Sequence, residues 1–325
     1  MSMVTVAAGI DVGKFYLDVG VAPSGRRFRV ANAAGGIERL VARLQRDGVE
    51  RVVIEAIGPY ARAVTAALEA AGMAVGLVNP RRIKGYRTAE GGLAKTDRLD
   101  AGLIARFALA MRDPPRPLPT ADEQALKDLA ARRRQLVEMI AMEKTRLKQA
   151  ILPMIADSHR AAIAALSAER QRIEDELDRR RGADAALARR YQILTSIPGI
   201  GRQVATTLIT DLPELGHADR RAIASLAGLA PHPAQSGALP GHNHIGGGRP
   251  CVRAALYMAS LAAVRSNPRF AAAYREGRSQ GKPAKVALIA IARKLSVLAN
   301  TLVKQDKLFD PDFAEPSEGK PAPSR

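Results

Sequence analysis

Four prolines within residues 113–120 divide this chain. Proline lacks the amide hydrogen that a helix interior needs and its ring clashes with the preceding turn, so no helix runs through such a segment. The two sides differ in kind. Up to residue 112, short β-branched runs alternate with stretches of helical spacing. From residue 122 to about 192, leucine and isoleucine recur at three- and four-residue intervals, and residues 193–304 read as helical apart from a Gly/Pro/His-rich insert between residues 230 and 250. At 325 residues the chain is long enough for two or three separate cores. The expected class is α/β followed by α.

In the first block, residues 4–21 read as two strands around a turn and residues 26–30 as a third. Residues 37–46 have helical spacing, 51–56 a strand pattern, 60–70 a helix and 74–78 a strand stopped by Asn79-Pro80, with a last helix expected over 96–110. Three hairpin-type strands followed by strand-helix repeats imply a mixed sheet with helices on its faces. Residues 122–192 read as two long helices, broken mainly at Pro153 and Gly182, paired with each other or with another subunit as a coiled coil. The polar, Pro-rich end is expected to be disordered. The expected domains are therefore 1–115, a connector at 116–192, a helical block at 193–308 and a tail at 309–325.

Fifty Lys and Arg against 32 Asp and Glu leave a formal charge of +18, which attracts polyanions, nucleic acid first. The distribution sharpens this. Between Arg220 and Lys304 the only acid is Glu276, set against thirteen basic residues, Lys282 and Lys285 among them. A solvated helical face mixes signs, so a stretch this poor in acid points to phosphate contact. Aromatics make up only 4% of the chain, with no Trp, which argues against a single-strand reader built on base stacking. Cys251 is the only cysteine, so no intramolecular disulfide forms and a reducing cytosol fits. No apolar run approaches the roughly 20 residues of a membrane span, and the first residues lack the basic start of a signal peptide. A cytoplasmic, nucleoid-associated protein without a membrane partner is expected.

Carboxylates in apolar strands need a reason to be there. Asp11 sits in Ala8-Gly-Ile-Asp-Val-Gly and Glu55 ends Val52-Val-Ile-Glu, where an ionised group costs several kcal/mol unless paired or metal-bound. Asp97 and Asp100, three apart at the start of an expected helix, share a face. Converging, the four would offer hard oxygen ligands to a pair of divalent cations such as Mg²⁺, and two such ions can clamp the attacking and leaving oxygens of a phosphodiester. Singly, each piece has an ordinary explanation: Asp97 could cap its helix, Glu55 could pair with an arginine, and Asp18 or Glu90 could be surface charges.

The third block opens on Ser196-Ile-Pro-Gly-Ile-Gly before a helical stretch, the form of a helix-hairpin-helix. Gly199 and Gly201 would there expose backbone N–H groups at a helix N-terminus, suited to a DNA phosphate; an ordinary helix-helix turn reads the same way. Next come Ala227-Gly-Leu-Ala-Pro-His-Pro-Ala-Gln-Ser-Gly and Gly246-Gly-Gly-Arg-Pro-Cys-Val-Arg-Ala-Ala-Leu-Tyr-Met. Ser236 is by itself a loop serine before a glycine. His232, His242, His244 and Cys251 match no structural zinc spacing, and Cys251 reads as a packed small side chain.

Together, Gly9-Ile-Asp-Val-Gly-Lys, Ile54-Glu-Ala-Ile-Gly and Lys95-Thr-Asp-Arg-Leu-Asp-Ala resemble the Asp-Glu-Asp-Asp site of RuvC-like, ribonuclease-H-fold nucleases. They closely match the DEDD transposases of the insertion-sequence "one-ten" family, relatives of the Piv-type DNA invertases. The resemblance spans nearly the whole chain and implies a RuvC-like domain, a coiled coil and a serine-bearing transposase domain. It implies cutting and rejoining of double-stranded DNA at element ends and target. Ser236 would be the nucleophile of a covalent phosphoserine link, and Asp11, Glu55, Asp97 and Asp100 would hold Mg²⁺. It further implies a homodimer or homotetramer guided by a noncoding bridge RNA. Arg249 and Arg253 are expected near the phosphate, where they would neutralise developing charge. A RuvC-like structure-specific nuclease or a non-catalytic DNA-binding protein would show the same basic block with a dispensable Ser236 or a degenerate acidic site.

Overall fold

The computed structural model describes residues 5–55, 59–91, 97–111, 120–234 and 242–310, with backbone alone at 59, 97–100, 121, 233–234 and 242–243. The chain forms two compact units, Met1–Thr120 and Ala121–Arg325. The expected tail at 309–325 falls almost wholly outside the described residues.

The first unit contains β1 (Ala7–Val12), β2 (Tyr16–Ala22), β3 (Arg26–Ala31), α1 (Ala34–Arg46), β4 (Arg51–Glu55), α2 (Arg62–Ala70), β5 (Ala74–Val78), α3 (Pro80–Ala89) and α4 (Asp97–Ala110). Its sheet runs β3-β2-β1-β4-β5. The first three strands are antiparallel, and β4 and β5 continue parallel to β1. This is the mixed sheet with helices on its faces expected from the order of strands and helices. The alternation of apolar residues makes it two-faced. Ala8, Ile10 and Val12 join Val52, Ile54, Ile37, Leu40 and Leu68 under α1 and α2. Ala7 and Val53 face the other way, onto Ile83 of α3 and Leu103, Ile104 and Phe107 of α4.

Two glycines set how closely α4 approaches. Gly9 and Gly20 lie directly opposite each other on β1 and β2. A Cβ on Gly9 would sit 2.5 Å from the Ile104 carbonyl carbon and 2.7 Å from the Ala101 oxygen, and one on Gly20 2.5 Å from the same oxygen. The bare backbone thus lets α4 lie against the sheet. Helix α3 was not expected. Asn79-Pro80 ends β5, but the Asn79 side chain also accepts from the Arg81 amide at 2.9 Å and caps a helix with Pro80 in its first turn.

The second unit contains α5 (Ala121–Gln149), α6 (Pro153–Ala183), α7 (Ala185–Ser196), α8 (Arg202–Asp211), α9 (Arg220–Leu226), β6 (Pro231–Ala234), β7 (His242–Ile245), α10 (Pro250–Ser266), α11 (Pro268–Ser279) and α12 (Ala284–Gln305). The long helices α5 and α6 pair with each other, antiparallel, through Leu126, Leu136, Ile140 and Leu177 and an Arg133–Glu174 ion pair at 2.6 Å. Arg134 of α5 reaches Asp211 of α8 at 2.7 Å, so the connector packs with the third block in one unit.

Helix α12 corrects one expectation. Its 22 residues are long and apolar enough to cross a membrane by length and composition. Arg293, Lys294, Ser296 and Asn300 break the apolar run in the sequence without lowering the average enough. Over half of that window, 56%, is buried. Ile291, Leu295, Leu298 and Leu302 sit there with Leu194, Leu208 and Leu256, and make α12 the central helix of this core. The insert after residue 230 is also more regular than its prolines suggest, since β6 and β7 form an antiparallel hairpin pairing His232 with His244.

Candidate functional site

Register across the sheet brings the strand carboxylates together. Ile10 pairs with Ile54 in the parallel β1–β4 ladder, so the next residues, Asp11 and Glu55, stand side by side where the strands end. Parallel strands lie about 4.8 Å apart, within the span of ligands to one small cation. Both residues share the parity of Ala7 and Val53 and therefore lie on the α4 face, half-buried.

Helix α4 brings its first turn to the same edge. Arg51, at the opposite end of β4, donates to the Ala108 and Met111 carbonyls at 3.2 and 2.8 Å, fixing the C-terminal end of α4 there. Ala101 lies over Gly9 and Gly20. The first turn, with Asp97 and Asp100, consequently reaches the edge where Asp11 and Glu55 sit. The side chains of Asp97 and Asp100 lie outside the described residues. Among the described residues no group of three His, Cys, Asp or Glu could hold a metal. Asp11 and Glu55, the described acids at this edge, offer carboxylate oxygens, which suit a hard divalent cation rather than a metal preferring nitrogen or sulfur.

The same row corrects the reading of Asp18 as a surface charge, since it is buried in the sheet. Asp18 stands directly opposite Asp11 on β2, and Arg29 opposite Asp18 on β3. Arg29 donates to both Asp18 oxygens, at 2.9 and 2.7 Å. The available signal was an acid at an inward position of an apolar strand, with a basic residue on the next strand.

In the helical unit, the turn between α7 and α8 is built on Gly199. Gly199 has φ +88°, and a Cβ there would lie 2.6 Å from the Ala263 amide of α10. Gly201 is the exposed N-cap of α8, with no side-chain cap. Arg249 donates to Glu214 through both terminal nitrogens, at 2.6 and 2.8 Å, and its burial pushes its pKa below the usual arginine value. Arg253 donates to the carbonyls of Gly247 at 2.9 Å and Gly228 at 3.4 Å. Of these arginines, both expected beside a phosphate, Arg253 is engaged with the segments flanking the β6–β7 hairpin and Arg249 with Glu214 between α8 and α9. Ser236 lies in residues 235–241, outside the described residues, as does the His242 side chain. His232 and His244 have ring centroids 6.0 Å apart. Cys251 packs against the helical core, and burial raises its thiol pKa. Lys282 and Lys285 flank the start of α12, exposed, with Arg275 and Arg278 exposed on α11.

Comparison with known proteins places both halves. The DEDD model of IS110, described as a transposase, matches residues 8–156 and takes in Asp11, Glu55, Asp97 and Asp100. A second, described as the transposase IS116/IS110/IS902 family, matches residues 191–275 and takes in Gly199, Gly201, Ser236, Arg249 and Arg253. The pilin gene-inverting proteins of Moraxella bovis and Moraxella lacunata are each 29% identical over 269 residues, 80% of this chain and 81% of theirs. An uncharacterized protein of insertion element IS110 from Streptomyces coelicolor is 27% identical over 199 residues, 52% of this chain and 46% of that one. The T. thermophilus RuvC solved with a Holliday junction substrate is 24% identical, covering 35% of this chain and 84% of that chain, with a TM-score of 0.24.

Proposed function

The chain belongs to the IS110 family of transposases, and on that premise we propose that it cuts and rejoins double-stranded DNA through a serine-linked intermediate. The observation that carries this reading is the convergence, by strand register and by the course of α4, of Asp11, Glu55 and the first turn of α4 on one edge of the sheet. Asp11, Glu55, Asp97 and Asp100 are the residues that would hold Mg²⁺, two ions in the full site. Bound there, the metal supplies charge neutralisation at the reacting phosphodiester.

The remaining chemistry belongs to the protein. The Ser236 hydroxyl attacks phosphorus, a Ser236 Oγ–P bond forms, one P–O bond of the strand breaks, and the leaving DNA oxygen takes up a proton. Attack by another DNA hydroxyl reverses these bonds and frees the serine, so the phosphodiester energy is kept in the protein-DNA bond. Arg253 holds the two glycine carbonyls beside the hairpin, and Arg249 holds Glu214; both fix the base of the segment that presents Ser236. Gly199 and Gly201 with the open first turn of α8, and Lys282 and Lys285, bind phosphates of the duplex without reading bases. The family resemblance implies that sequence choice falls to pairing with a bridge RNA, which suits a protein that itself reads backbone and duplex shape. The protein works in the cytoplasm, as a homodimer or homotetramer.

The test is a denaturing gel of labelled element-end DNA incubated with the protein, Mg²⁺ and co-purified RNA. A protein-DNA adduct is expected with the unaltered chain and lost in Ser236→Ala. Undiminished strand cleavage by Ser236→Ala would replace this reading with a hydrolytic nuclease that uses water.

A further inference from the structure

The row of charged residues across the sheet holds one carboxylate more than the metal reading uses. On one face, along β3-β2-β1-β4, stand Arg29, Asp18, Asp11 and Glu55. Directly opposite residues of an antiparallel pair have Cβ atoms about 5 Å apart, and like charges at that spacing destabilise the pair. Asp18 therefore lies close enough to Asp11 to share a cation with it. Its side chain is 11% exposed, too enclosed for water alone to satisfy a carboxylate.

Arg29 answers both problems. Its guanidinium makes the two-pronged bond to Asp18 and lies 5.4 Å from the Tyr16 ring, on the same face. A planar fork that occupies both oxygens holds a carboxylate in one orientation, here toward β3 and away from β1. Resting on the metal-centre reading above, we infer that Arg29 is a positioning residue that keeps Asp18 out of that centre, so that the cation is held by Asp11, Glu55 and the first turn of α4 alone. Without Arg29, Asp18 joins Asp11 as an extra ligand, the cation binds more tightly and sits displaced toward β2. Asp18 acts on the centre only when its partner is missing.

The experiment compares the full-length protein with Arg29→Gln, Asp18→Asn, the double variant and Asp11→Asn. Mn²⁺ binding is measured by electron paramagnetic resonance of the free ion, beside Mg²⁺-dependent DNA cleavage and thermal unfolding in EDTA. Arg29→Gln is expected to bind Mn²⁺ about tenfold more tightly, because affinity rises with the number of carboxylates, and to cleave more slowly. The double variant is expected to return both values to within about twofold of the unaltered chain, since the extra ligand is gone with its restraint. If Arg29→Gln fails to fold in EDTA, Arg29→Lys carries the test, because one ammonium cannot hold both oxygens, and an intermediate tightening is expected.

Mn²⁺ affinity unchanged or weakened on loss of Arg29 overturns the inference, as does a double variant no better than Arg29→Gln. Equal Mn²⁺ binding by Asp11→Asn and the unaltered chain shows instead that the metal-centre reading has failed, and the inference falls with it.

Discussion

The two units place functional groups by opposite means. In the sheet unit, backbone register does the placing: Asp11 and Glu55 meet because Ile10 pairs with Ile54, and α4 arrives because Gly9 and Gly20 offer no Cβ. In the helical unit, side chains hold the parts. Arg134 ties α5 to Asp211, Arg249 ties α10 to Glu214, and Arg253 bridges Gly228 and Gly247. A backbone-built site tolerates side-chain change around it but not a change in the distance between layers. A side-chain-built one fails one anchor at a time.

That contrast orders the expected effects. Gly9→Ala should be the most damaging substitution, since the new methyl meets helix backbone that has no room to give. Overpacking of this kind costs about 3 kcal/mol or more, read as a lower urea midpoint or loss of soluble protein. Arg134→Ala comes next. It removes the ion partner of the Asp211 carboxylate, which is 7% exposed and keeps the Thr210 hydroxyl at 3.0 Å, and should cost about 2 kcal/mol, below the usual penalty for a fully buried pair because Arg134 is a third exposed. A calorimetric scan in which this variant matches the unaltered chain would remove Arg134 as an anchor.

Arg253→Ala should cost about 1–2 kcal/mol of stability for the carbonyls it leaves, yet slow formation of the covalent adduct more than it weakens DNA binding. Equal losses in adduct rate and in binding would mean Arg253 contacts phosphate instead of holding the hairpin. The smallest effect concerns Cys251. Burial raises its pKa, so less of it is thiolate at pH 8 than of a free cysteine, and alkylation by iodoacetamide should be correspondingly slow. Fast alkylation would show that the start of α10 opens readily.

The sheet was legible because most of its strands are short β-branched apolar runs separated by short turns, and all five strands fall within three residues of their expected ends. Asp11 and Glu55 stood out for the same reason: charge in an apolar strand is costly enough to need a cause. Helix α3 was hidden because Asn79-Pro80 reads equally as a strand stop and a helix start. The β6–β7 hairpin was hidden by Pro231 and Pro233, which count against a strand unless the register is known. The Asp18–Arg29 pair needs two registers at once before it can be seen. Arg249 looked available for phosphate because its partner Glu214 lies 35 residues away, a contact that only the packing of α10 brings about.

Single-turnover strand cleavage by Asp11→Asn, with DNA binding measured on the same samples, decides whether the sheet edge works as a metal centre. A rate lower by about a thousandfold in Mg²⁺ is expected, with DNA affinity within about twofold of the unaltered chain. Cleavage by Asp11→Asn at the unaltered rate would contradict it.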